Sequence, residues 1–237
     1  MLGEQISKKK IKAGDLLVFG NQYFLALGET IVFSEHYQNL ATVQAELVYK
    51  KFLTLPTLKL FHWMVETYYT TYKSVVRLFV ARDIEKLLQR EDKVLGKKWK
   101  VKGNVWQSLS SFICPFPVAD QWQTLIVFPD LRTMANQSRD IETLRHKNIQ
   151  NGVALLLSGD TENQKDVHRW EIKTWIDSVI VCTYAEIFQD FKNLQKIIFV
   201  DPHKRYYASQ QDPRYKVGEV IEKMKELCGA EVEIIEV

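Results

Sequence analysis

Asp201 closes the apolar run Ile197–Val200, and the residues after it, up to Lys216, interleave cations with tyrosines. A carboxylate at a strand end can help hold the magnesium ion of a nucleotide. The next position, where a glutamate would orient the attacking water, is Pro202, which has no acid–base group. His203 and Lys204 follow. Lys204, Arg205, Tyr206, Tyr207, Arg214, Tyr215 and Lys216 combine the two residue types that hold single-stranded nucleic acid. Cations meet phosphates, and aromatic rings stack on bases. A blander reading stands beside each of these. Asp201 serves equally as a strand-end aspartate capping the next turn. The tyrosines serve equally to pack the loop on a sheet while the charges face water.

The rest of a nucleotide site is missing from the sequence. A phosphate cradle of the form G-x-x-x-x-G-K-[ST] needs glycines so that backbone N–H groups can face the phosphates. The segment expected to carry it, Val105–Val118, reads VWQSLSSFICPFPV, and no glycine occurs between Gly103 and Gly152. Without cradle and base, ATP hydrolysis has little electrostatic support, so an intrinsic ATPase is not expected. G-x-S-x-G, H-E-x-x-H and G-x-G-x-x-G motifs are absent as well. Cys114, Cys182 and Cys228 are far apart with no C-x-x-C spacing, which argues against a zinc site and for reduced thiols. His36, His146 and His168 stand apart from cysteines and paired acids, and His62 lies near an apolar stripe.

The elements that must position Asp201 are legible as alternating runs. Thr124–Phe128, Val153–Leu157, Val179–Thr183 and Ile197–Val200 are almost continuously apolar, as strands buried on both faces of a parallel sheet are. Glu231–Ile235 alternates, which predicts an edge strand. Helical segments are expected over Leu131–Asn148, Gln164–Trp175 and Val217–Leu227. Strand–helix repetition predicts an α/β domain over 103–237, with ligands bound beyond the carboxyl ends of the strands, where Asp201 falls. Ahead of it, 41–102 reads as a helical segment and connector. Leu58, Phe61, Val65, Tyr68, Tyr72, Val75 and Phe79 form one stripe, with Pro56 in the first turn and a break near Thr70-Thr71. Lys86–Lys102 is the charged connector. Residues 1–40 read as a small antiparallel β unit with strands at Asp15–Phe19, Tyr23–Leu27 and Thr30–Ser34.

Composition fits a globular chain: 46% hydrophobic and 26% charged residues over 237 positions, enough for a sizeable core without disulfides. The start, MLGEQISKKKIK, lacks the apolar stretch of a signal peptide, and no apolar run approaches the roughly eighteen residues of a membrane span. The expectation is a cytoplasmic protein that does not cross a membrane. A formal charge of +3 says little about nucleic acid, but Lys8–Lys10 with Lys12, and Lys97, Lys98, Lys100 and Lys102, are local basic clusters.

Three stretches, in order and at matching spacing, resemble primosomal protein N′, the PriA-type replication-restart helicases of superfamily 2. Leu60–Phe79 is similar to the family's helical segment before the motor, with Trp63, Glu66, Tyr68, Tyr69 and Arg77 in place and its usual glycine missing. LIVFPD resembles motif Ia through Pro129 and Asp130, VALLLSGD keeps Ser158 and Gly159, and Trp170 sits in a helix similar to the family's. In VIVCTYAEIF, Thr183, Ala185 and Phe188 match, while Cys182 and Tyr184 replace a glycine and an arginine. Asp201-Pro202-His203-Lys204 resembles the Asp-Glu-x-His box with proline for the catalytic glutamate, and the DPRY that follows also matches. KAGDLLVFG is weakly similar to a strand of the family's DNA 3′-end-binding domain.

The resemblance implies a RecA-like domain with helices on both faces of its sheet, preceded by a small β and helical unit. Followed to Val237, it stops before the third helicase motif, so the expectation is a chain without the second RecA-like domain, the zinc-binding insert or the arginine finger. It implies a non-catalytic DNA-binding or replisome accessory protein without a cofactor, whose partners are single-stranded or forked DNA and replisome or primosome proteins. One alternative is a helicase subunit that takes ATP and magnesium with a second polypeptide, Asp201 holding the residual magnesium position. Another is an interaction scaffold using Trp106, Phe116 and Trp122.

Overall fold

The computed structural model describes residues 12–19, 22–27, 46–49, 51–80, 84, 122–137, 153–157, 159–174, 178–204, 207–209 and 211–236. The chain divides into two compact units, Met1–Leu58 and Lys59–Val237. In the first, β1 (Leu16–Phe19) lies between β2 (Gln22–Leu25) and β3 (Glu46–Tyr49), antiparallel to both. The small antiparallel β unit therefore exists, but its third described strand is β3. That strand falls within the stretch read as helical, and it extends the unit past residue 40. Four residues, Glu-Leu-Val-Tyr, are too few to declare a period. The expected strand at Thr30–Ser34 lies outside the described residues. Gly14 has φ +88°, and a Cβ there would sit 2.7 Å from the Leu53 carbonyl oxygen, so the close approach of these two segments requires glycine. Buried Asp15 accepts the backbone N–H groups of Lys12 and Lys51, both at 2.9 Å.

The dividing point falls within helix α1 (Leu55–Thr67); α2 is Tyr72–Phe79. Pro56 does stand in the first turn of α1, and the two helices part around Thr70-Thr71 as expected. Thr71 restarts the helix by accepting the Ser74 N–H (3.2 Å), and α2 buries Val75 and Phe79. Phe61 stacks on Tyr72 with centroids 5.7 Å apart, and Phe79 meets Phe188 edge-on at 5.3 Å.

Among the described residues, the larger unit holds a five-stranded sheet in the order β5–β6–β4–β7–β8, every pair parallel. Its strands are β4 (Gln123–Phe128), β5 (Val153–Leu156), β6 (Val179–Thr183), β7 (Leu194–Val200) and β8 (Glu231–Ile235). All five agree with the strand runs read from sequence, and alternating β8 is at an edge. Helix α3 (Leu131–Gln137) packs on β4, α4 (Glu162–Lys173) on β5 and α5 (Val217–Cys228) on β7. Helix α4 starts two residues earlier than expected because the Gln164 side chain accepts the Thr161 N–H (3.0 Å), tying down the first turn. Helix α5 buries Val217, Val220, Ile221 and Met224 and stops at Gly229, in the left-handed region at φ +70°. The remainder of the helix expected over Leu131–Asn148 lies outside the described residues. Among the described residues no helix is long and apolar enough to cross a membrane.

The order of the strands fixes where a ligand crevice would lie. From β4 the chain goes to β5 on one side of the sheet; from β7 it goes to β8 on the other. The topological switch point is therefore between the carboxyl ends of β4 and β7, next to Asp130 and Asp201.

Candidate nucleic-acid interface

The acid at the end of β7 belongs to a turn. The Asp201 N–H donates to the Ile235 carbonyl (2.7 Å), and its own carbonyl accepts the Lys204 N–H (3.1 Å), closing a turn over Pro202 and His203. Asp201 sits at φ +48°, a left-handed conformation that aspartate tolerates better than most residues. Its side chain is buried, with the Lys204 ammonium 3.7 Å from Oδ2. At the end of β4, Asp130 caps α3: its Oδ1 accepts the Thr133 N–H (2.7 Å) and its Oδ2 the Thr133 hydroxyl (3.2 Å). Both strand-end acids thus have local structural work. Among the described residues, no three His, Cys, Asp or Glu side chains are grouped to hold a metal ion.

The crevice between β4 and β7 is filled by Tyr207. Its hydroxyl lies within hydrogen-bonding distance of two strand-end carbonyls, Val127 (3.1 Å) and Val200. Phe199 meets the ring edge-on at 4.6 Å. Burial first, and then the negative charge that Cys182, Asp201 and Asp130 can carry, push the phenol well above its ordinary pKa, so it remains a neutral donor.

This placement corrects the stacking role read for Tyr207 and Tyr215. They are 6% and 4% exposed, so neither offers a face to a base. The cause is a short antiparallel ladder: Ala208 bridges Lys216, the Ser209 N–H donates to the Tyr215 carbonyl (2.8 Å) and the Val217 N–H to the Tyr207 carbonyl (2.9 Å). Extended backbone sends successive side chains to opposite sides. Tyr215 and Val217 point inward, with Tyr215 edge-on to Phe188 at 4.8 Å, while Arg214 and Lys216 point to water. Lys204 is exposed too. Arg205 and Tyr206 lie outside the described residues, as do Val105–Val118, Trp106 and Phe116. Trp122, the remaining aromatic read for a contact surface, is half exposed.

Beside this ladder is an aromatic that the residue pattern alone does not assign to the site. The turn between α1 and α2 is fastened on both sides. The Tyr68 hydroxyl donates to Glu219 Oε2 (2.9 Å), and the Thr70 hydroxyl lies 2.9 and 3.0 Å from the two carboxylate oxygens of Asp212. Between them Tyr69 is 95% exposed at φ +50°. Lys216 Nζ is 3.0 Å from Glu219 Oε1, and Arg214 is close enough to Asp212 to lower its pKa, so the turn carrying Tyr69 borders the segment carrying both cations. A signal for it does exist in the sequence: Tyr69 falls one position off the apolar stripe that includes Tyr68 and Tyr72.

The fastening has a pH signature. Hydrogen bonds from Ser74 and Thr70, with the nearby Arg214 charge, hold Asp212 below its ordinary 3.8; a hydrogen bond from Lys216 and then one from Tyr68 hold Glu219 below 4.5. Depressed folded-state values mean that the two carboxylates support the turn above these ordinary values. That support is lost as pH falls through the lower folded ones. In an acid titration followed by NMR, the Thr70 and Tyr68 signals are expected to shift with midpoints below 3.8 and 4.5 respectively, and Asp212→Asn is expected to remove the first transition. Midpoints at or above those values would contradict the bonding described. The chain matches no protein-family model, and comparison with curated proteins gives no match.

Proposed function

We propose that this chain is a non-catalytic relative of the PriA-type helicases that binds single-stranded or forked DNA as an accessory of replication, in company with replisome or primosome proteins. The observation that carries the reading is the split made by the Tyr207–Ser209 and Arg214–Val217 ladder. Tyrosines go into the domain, and Arg214 and Lys216 go to solvent beside an exposed tyrosine. Such a surface suits phosphates. The parallel sheet accords with the RecA-like domain that the resemblance implies, and Tyr207 packs at the carboxyl ends of β4 and β7. The second reading, a subunit completed by another polypeptide to turn over ATP, has no observation in its favour.

A mobility-shift assay with single-stranded and forked DNA tests the proposal. Binding is expected at low salt. Neutralising Lys204, Arg214 and Lys216 together is expected to weaken it and to flatten the logarithmic salt dependence by about 0.7 for each phosphate no longer neutralised. No binding at low salt, or an unchanged slope in the triple variant, would sink the proposal.

A further inference from the structure

We infer that Tyr69 is the base-stacking residue of this surface and that the strand it accepts is unpaired. The inference rests on the DNA-binding reading and goes a step further, to how the ligand is gripped. Three observations meet at this residue. Tyr69 is 95% exposed, although the residues on either side are anchored to Glu219 and Asp212. The turn is therefore held while the ring is offered. Tyr69 also follows the last backbone bond of α1, from the Tyr68 N–H to the Met64 carbonyl, in the left-handed region at φ +50°. That position after a helix ordinarily takes glycine, because a side chain there is strained. Tyrosine makes the helix stop worse and buries nothing, so the fold gives no reason for it. Finally, cations flank the turn, on the helix that follows it and on the segment fastened to it. Lys73 and Arg77 lie one turn apart on the exposed part of α2, a helix without any acidic residue, and Arg214 and Lys216 border the turn on the other side.

A phosphate backbone held by these cations brings its bases to the ring only if they are unstacked and unpaired. A duplex keeps its base faces covered. The chemistry of the surface is therefore that of a single-strand site, tolerant of sequence because every base has a face to stack.

Fluorescence anisotropy with the full chain tests this, comparing oligothymidylate with an abasic oligomer of the same length. The wild type is expected to favour the base-bearing strand by roughly 5- to 150-fold, the range for a single stacked base. Tyr69→Gly is expected to erase that preference while leaving abasic binding unchanged. Its unfolding midpoint should hold or rise, since glycine suits the backbone conformation. Tyr69→Trp is expected to keep the preference. A Tyr69→Gly protein that still discriminates, or a Tyr69→Trp protein that fails as glycine does, would overturn the stacking role while the DNA-binding reading stood. Failure of the wild type to bind either oligomer would overturn both.

Discussion

Replacing Tyr207 with alanine is expected to destabilise the parallel-sheet unit by about 3–5 kcal/mol, the cost typical of deleting a large buried aromatic and leaving its cavity. The ring stands in the crevice between the ends of β4 and β7, against Phe199, with its hydroxyl on the Val127 and Val200 carbonyls. Tyr207→Phe separates the two contributions. It keeps the ring and is expected to cost about 1–3 kcal/mol, because strand-end carbonyls lose a donor that water cannot replace there. Urea unfolding of both variants checks the pair. An alanine variant within about 1 kcal/mol of wild type would show that the ring is not packed as described. The same variant bears on function. With the crevice emptied but no glycine loop to cradle phosphate, magnesium–nucleotide titration is expected to detect no new binding. A gain would move the balance toward the ATP-dependent reading.

Tyr207 also shows where a sequence stops being informative. The strands are legible because each carries its own signal: four nearly unbroken apolar runs for buried positions, and alternation in Glu231–Ile235 for an edge. The helix stops are legible in part. A break is readable at Thr70-Thr71, but α1 ends at Thr67, and those few residues put Tyr69 in a turn instead of on a helix face. Interleaved cations and aromatics carry no such signal. The pattern is identical whether the rings stack on a ligand or on the protein. Only the pairing of Ala208 with Lys216 decides which side each residue takes. The short β3 escapes a sequence reading for a related reason. Its partner β1 is about thirty residues earlier, and long-range pairing leaves no local period in four residues. Half of the candidate site is therefore visible as residue types. Their division between core and surface is not.

Glu186 carries the second large effect, and its partners are invisible in the sequence for the same reason. It lies on the short 3-10 turn Tyr184–Glu186 after β6, with Oε1 2.7 Å from Lys165 Nζ and Oε2 3.7 Å from an Arg169 nitrogen. All three side chains are largely buried. Arg169 retains Asp166 at 3.0 Å if Glu186 is removed, whereas Lys165 is left only the distant Glu162 carboxylate at 3.9 Å. Glu186→Ala is therefore expected to cost about 3–5 kcal/mol, most of it the penalty of an uncompensated buried ammonium. Joining it to Lys165→Met is expected to recover much of that loss, since replacing both charges with apolar groups avoids the desolvation that removing one exposes. A double-mutant cycle in urea measures the coupling; additive losses would show that the pair does not interact in the folded state. The consequence extends to the surface. Two residues on, Phe188 is the ring against which both Phe79 and Tyr215 pack, so the turn that Glu186 secures also backs the ladder presenting Arg214 and Lys216. If the proposed single-strand binding holds, Glu186→Ala should then weaken it without removing any cation, with its salt slope unchanged. The double variant should restore affinity together with stability.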